Sequence, residues 1–238
     1  MLLQCGIEDD AGGESARLSW LRPETLESLT ELNELSLTLL AEQAAAPGSS
    51  AGPVLREVRS LWPGLDAAGR RRAAGCPYLL LDAGFADPER WRGPAGQVGE
   101  GTRPAGAPFF TVPGTVEVLQ LALTYAWHLA RTQIAAARLL LGAPASCATL
   151  IGGCTLPQIH GLAERHAQWL RPRWAARPQM WRGLLLAAGS GEPRQLEEAH
   201  MHGLTLLAAE TRALAARAPL TGAAAVPMAG RPAASGSR

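Results

Sequence analysis

The residues with most chemistry to offer lie between positions 165 and 182. Arg165, Arg171, Arg173, Arg177 and Arg182 are interleaved there with Trp169, Trp174 and Trp181, and no acid falls between Glu164 and Glu192. Guanidinium groups grip phosphate oxygens through paired N–H donors, and indole rings offer flat faces for stacking on bases or for anchoring a partner. The cluster therefore reads as a nucleic-acid or partner-binding surface. The competing reading makes the tryptophans core and the arginines a solvated face, paired with acids elsewhere. Arg70-Arg71-Arg72 is a second basic cluster. It fits either an extension of that surface or an exposed helix face.

Other constellations are poorer. Glu197 and His200 have the i, i+3 spacing used by di-iron helices, but no second copy accompanies them, and His202 projects to another side of a helix. No metal site is expected. Cys5, Cys76, Cys147 and Cys154 contain no CxxC pair and do not read as a disulfide framework, and Cys147 and Cys154 read as buried thiols flanking a turn. There is no Ser/His/Asp order, no phosphate-cradling glycine loop after a strand and no pair of inward carboxylates. The expectation is a protein without enzymatic activity or cofactor.

Charge is unevenly spread. All 22 basic residues are arginine, and the formal net charge is only +1. Residues 1–130 carry net −6 and residues 131–238 carry net +7. That asymmetry suits a polyanionic partner or docking of one half on the other. The opening MLLQCGIEDD has neither a basic segment nor a long apolar run, so no signal peptide is expected. The most apolar stretch, near 116–142, is interrupted by His128, Arg131 and Arg138, which argues against a membrane span. A cytoplasmic location follows as the expectation.

The elements that must position these residues are helical. Leu26, Leu29 and Leu32 lead a leucine-rich face over 23–46, with Glu24, Glu27, Glu31 and Glu34 on another face and Pro23 suited to a first turn. Short helices are predicted at 54–62, after Asp66, and from Asp87-Pro88-Glu89 through Trp91. In 76–91, Tyr78, Phe85 and Trp91 are expected to pack inward. A long central helix is predicted from an N-cap at Thr115 to about Leu141, with Gly142 closing it. Leu119, Leu123, Ala126, Ala130, Ile134, Ala137 and Leu141 form its buried stripe. Two further helices are predicted over 178–188 and 193–216. Scarce β-branched residues and no period-two alternation exclude a substantial sheet.

Thr155-Leu156-Pro157-Gln158 has the form of a capping box, with Thr155 and Gln158 exchanging hydrogen bonds and Pro157 harmless in the first turn. Residues 144–172 thus read as helix, short turn through Gly152-Gly153, helix. Ile159, Leu162, Ala163, His166 and Leu170 face inward; Arg165, Gln168 and Arg171 face outward. This run resembles the central part of FlhD, a subunit of the flagellar master transcriptional activator. The matching residues are Leu141-Gly142, Thr155-Leu156-Pro157-Gln158 and Leu162-Ala163-Glu164, within 137–174. The resemblance implies an all-helical, dimer-forming regulatory subunit that acts with a DNA-contacting, zinc-bearing FlhC subunit. The chain is about twice the length of FlhD, its first 110 residues have no counterpart there, and it carries no FlhC-type zinc cluster.

The reading is an all-α single domain built round the long central helix, with a helix-turn-helix-like hairpin. Residues 1–91 form an N-terminal helical region, 92–113 a Gly/Pro-rich loop, 114–217 the helical core and 218–238 a disordered tail. The expected function is that of a non-enzymatic regulatory or interaction protein resembling FlhD, associated with DNA within a complex. The alternative is a cytosolic helical adaptor or scaffold of a secretion or motility apparatus. The partner is then an FlhC-like subunit or an apparatus component, with DNA and a second copy of the chain as further candidates. On the DNA reading, replacing Arg171 and Arg173 by Ala abolishes DNA association without unfolding the protein.

Overall fold

Pro23 sits at the first helical position of α1 (Pro23–Ala45), where its missing N–H has no intrahelical partner to lose. The computed structural model containing this helix describes residues 21–46, 52–92 and 107–217. The expectations for Cys5, for most of the Gly/Pro-rich loop (93–106) and for the tail from 218 onward lie outside the described residues. Along the chain follow α2 (Pro53–Val58), α3 (Ala67–Ala74), β1 (Leu81–Asp82) and α4 (Pro88–Trp91). Then come α5 (Thr115–Thr132), α6 (Ile134–Leu141), α7 (Ala145–Gly153) and α8 (Leu156–Arg165). The chain continues with β2 (Arg171–Pro172), α9 (Pro178–Ser190) and α10 (Pro193–Arg217).

Local chemistry explains most helix starts. The Asp66 carboxylate accepts from the Gly69 N–H at 2.6 Å and caps α3. Asp87 does the same for α4 through the Glu89 and Arg90 N–H groups. The Thr155–Gln158 capping box is formed: the Thr155 N–H donates to the Gln158 side-chain Oε1 at 2.8 Å, and the Gln158 backbone N–H donates to Thr155 Oγ1 at 3.4 Å. Such caps satisfy first-turn donors that the helix itself leaves unpaired.

The predicted 115–141 helix is two helices. It breaks at Gln133, whose backbone takes φ −147° and ψ 68°. Thr132 Oγ1 donates back to the His128 carbonyl at 2.8 Å, a bond that competes with the helix ladder. The Gln133 side chain is drawn away to Thr25 Oγ1 at 3.0 Å. The break changes the buried stripe: Ile134, predicted inward, is exposed. Gly114 in the left-handed region, not Thr115, occupies the N-cap, while Thr115 Oγ1 donates to the Val112 carbonyl. Gly142 closes α6 at φ 67° as predicted.

Helices dominate and side chains from the first helix to the last share one core. The N-terminal helices are not a separate layer: α1 packs on α3 and α5, and α2 and α3 pack on α9. Tyr78, Phe85 and Trp91 are fully buried, as expected of aromatics in a chain with few of them. The sole strand pairing among the described residues is the two-residue antiparallel ladder of β1 and β2, with Leu81 opposite Pro172 and Asp82 opposite Arg171. Among the described residues no single helix is long and apolar enough to cross a membrane.

Beyond the end of α3, residues 76–80 run through the core without helical hydrogen bonds, and polar side chains take up backbone groups there. Asn33 of α1 is fully buried; its amide donates to the Ala74 and Tyr78 carbonyls at 3.1 and 3.0 Å and accepts from the Leu80 N–H at 2.9 Å. The Leu79 N–H reaches the Leu140 carbonyl at 3.0 Å. A buried backbone group left unpaired costs about 1–3 kcal/mol, so each of these bonds is required rather than optional.

Candidate interaction site

The Arg/Trp cluster is divided between the core and the surface. Arg173, expected to contact phosphates, is buried at 6% exposure. Its Nε donates to the Leu79 carbonyl and its Nη2 to the Leu141 carbonyl, each at 2.8 Å, while its backbone N–H reaches the Leu80 carbonyl. Burial lowers its proton affinity; the charges of Asp82 and Glu210 act the other way. A guanidinium is never deprotonated in proteins, so Arg173 is a buried cation that ties β1's approach to the end of α6. It is part of the fold and is withdrawn from the binding surface.

Trp169 and Trp174, expected as stacking platforms, are also buried. Trp169 stacks on the His166 ring at 4.3 Å with 6° between planes. It also carries the Arg90 guanidinium at 5.0 Å and meets Trp91 edge-on. Trp174 meets the Tyr78 ring edge-on at 5.3 Å. Its backbone lies at φ 53°, a conformation that favours glycine. This reversal lets the chain turn from β2 into α9, with the Arg177 N–H donating to the Trp174 carbonyl at 2.7 Å. Trp181 is fully buried, and its indole donates to the Arg173 carbonyl at 2.7 Å. The physical reason for all three corrections is the same: large aromatic surface gains most from a dry core, and in a chain with few aromatics these rings fill it.

Arg165, Arg171 and Arg177 remain exposed. Arg171 donates to the Ala107 carbonyl at 3.1 Å. Arg182 pairs with Glu57 of α2 at 3.5 Å, as the alternative reading of an acid-paired arginine face supposed. The Arg70–Arg72 cluster disperses into three separate ties. Arg70 reaches the Leu65 carbonyl, Arg71 the Glu34 carboxylate, and Arg72 the Ala188 carbonyl at 2.8 Å.

Among the described residues no thiol is poised for reaction. Burial pushes the Cys76 thiol up to about 12 and also raises those of Cys147 and Cys154. His200 is half-buried and His202 exposed; among the described residues no group of three His, Cys, Asp or Glu side chains gathers to hold a metal.

What the surface does offer is apolar seams between helices. Leu35 of α1 and Leu121 of α5, 43% and 49% exposed, line a groove of about 410 Å³ with Leu32, Tyr125 and Trp127. A second groove, of about 430 Å³, lies between α6 and α10 beside Leu139 and Leu204. By spacing Leu35 and Leu121 belong to the apolar faces of their helices and were expected inward; they are exposed instead, because the roll of α1 and α5 against each other leaves that edge of the face uncovered. The chain matches no family model, no curated protein and no solved structure.

Proposed function

We propose that this is an interaction protein that engages other proteins through its apolar helix seams. The observation that carries the reading is the inward placement of Arg173, Trp169, Trp174 and Trp181 beside the outward placement of Leu35 and Leu121. The groups suited to bases and phosphates belong largely to the core, and the groups suited to another protein's apolar face are left in water. This favours the helical-adaptor reading. A transcriptional role like that of FlhD remains compatible with it if DNA is contacted by a partner subunit.

A second reading keeps DNA contact on this chain, through the exposed Arg165, Arg171 and Arg177. Three phosphate contacts give a salt slope of about −2.7, so affinity falls only about forty-fold between roughly 50 and 200 mM salt. That is well short of the six to ten contacts of strong binders. The test is capture of partners by the tagged full chain from its native lysate, with and without nuclease and at low and high salt. Retention of a specific protein in nuclease and high salt, lost on Leu35→Asp with Leu121→Asp, is expected. Partners that vanish with nuclease, together with duplex DNA binding lost on Arg165→Ala, Arg171→Ala and Arg177→Ala, would replace this reading with the second.

A further inference from the structure

We infer that the seam between α6 and α10 is a docking groove for an acidic amphipathic helix of a partner protein. The inference deepens the interaction reading above and rests on it. The groove has two stripes at helical spacing. Ala135, Arg138 and Leu139 of α6 stand at i, i+3 and i+4; Leu204, Ala208 and Arg212 of α10 stand at i, i+4 and i+8. Residues so spaced share one face, so each helix turns a single continuous ridge to the groove.

The floor is rigid. Leu207 is buried between the stripes and lies over Gly142, where a Cβ would come within 2.6 Å of its Cδ1. Gly142 also holds φ 67°. One turn earlier, Gly203 passes so close to the Tyr78 ring that a Cβ there would overlap the hydroxyl. The two glycines let α10 settle onto the core and set the width of the seam.

The walls are apolar and the rim is basic. Leu139 is 40% exposed on one side and Leu204 is half-exposed on the other, while Ala135 and Ala208 leave room for a third helix to approach closely. The charged side chains lining the groove are Arg138 and Arg212; no carboxylate lines it. Among the described residues neither arginine has an ion pair, and the Arg212 Nε donates to its own helix at the Ala208 carbonyl, 3.3 Å away. Glu210, on the same stretch of α10, exerts its charge on the buried Arg173.

This arrangement selects its occupant. An apolar trough with cations on its rim suits a helix whose leucine stripe is flanked by Glu or Asp. The trough is open along its length, so a small apolar acid would leave much of its surface in water, whereas small-molecule sites bury most of their ligand. A second copy of the chain docked face to face would bring Arg138 and Arg212 against like charges with no acid between them.

The test uses the full chain and fluorescein-labelled helical peptides of about 18 residues. One carries Leu at i, i+3, i+4 and i+7 with flanking Glu; the other has Lys in place of every Glu. Anisotropy is expected to show at least tenfold tighter binding of the Glu peptide, and the variant Arg138→Glu with Arg212→Glu should reverse that preference while its circular dichroism is unchanged. Equal binding of both peptides, or a preference that the double variant leaves intact, overturns the inference. So does sedimentation showing self-association that Leu139→Asp abolishes, which would make a second copy the occupant. A lysate partner lost on Leu35→Asp with Leu121→Asp but kept by the Arg138→Glu, Arg212→Glu variant leaves the interaction reading standing and removes this groove from it.

Discussion

Replacing Arg173 by Met keeps a long, flexible side chain in the cavity and removes the guanidinium. Leu79 and Leu141 then lose the donors that reach their carbonyls at 2.8 Å, and both residues are buried, at 0% and 1% exposure. Two orphaned acceptors at about 1–3 kcal/mol each put the cost at about 2–6 kcal/mol. Removing the charge returns part of this, because a desolvated cation no longer has to be held in the core. The expected loss is therefore about 3 kcal/mol, a large share of a total stability of roughly 5–15 kcal/mol. Arg173→Lys keeps the charge but presents its donors from a single point and cannot span both carbonyls, so about half the loss is expected. Arg177→Ala, at an exposed position, should stay within about 0.5 kcal/mol of wild type. Urea unfolding followed by tryptophan fluorescence reads all three. Equal stabilities for Arg173→Met and Arg177→Ala would refute the argument that Arg173 is structural. The combined Arg171 and Arg173 alanine variant, chosen from sequence as a DNA-binding knockout, is accordingly expected to report on folding.

Four further outcomes follow from the same structure. Gly203→Ala should destabilise by about 1–3 kcal/mol, because its Cβ would overlap the Tyr78 hydroxyl, and Tyr78→Phe should recover part of the loss in thermal melts. Since that hydroxyl finds no partner among the described residues, Tyr78→Phe alone should be neutral or stabilising; a loss above about 1 kcal/mol would show that the hydroxyl is bonded. Burial holds the His200 imidazole below its ordinary value of 6.5, so its neutral form is favoured in the fold; that stability is present above the unfolded value and lost as pH falls from there through the lower folded value. Wild type should lose more stability than His200→Leu between about pH 7.5 and pH 5, and parallel decline of the two would sink the assignment. Thr155→Val removes the acceptor of the capping box and should cost about 1 kcal/mol, read by urea midpoint.

The sequence by itself determined the helical class and the starts of several helices, because caps and first-turn prolines act within three or four residues. Asp66, Asp87 and the Thr155–Gln158 box could be read that way. Gly142 was equally legible as a helix end. Of the inward set read from spacing, Ile159, Leu162, Ala163 and Leu170 are buried, whereas His166, at the end of α8, is only half-buried. What tertiary structure decided is which polar and aromatic residues the core would take. Arg173 is satisfied by carbonyls 94 and 32 residues away, and Asn33 by backbone groups 41 to 47 residues away. Nothing in the RPRW run distinguishes an arginine that will meet such carbonyls from one that will meet water. The break at Gln133 has the same origin: its amide is claimed by Thr25, 108 residues earlier, across the packing of α1 on α5. The exposed leucines of the two grooves belong to the same class of fact, since a helix's periodicity defines its apolar face but only its neighbours define how much of that face they cover.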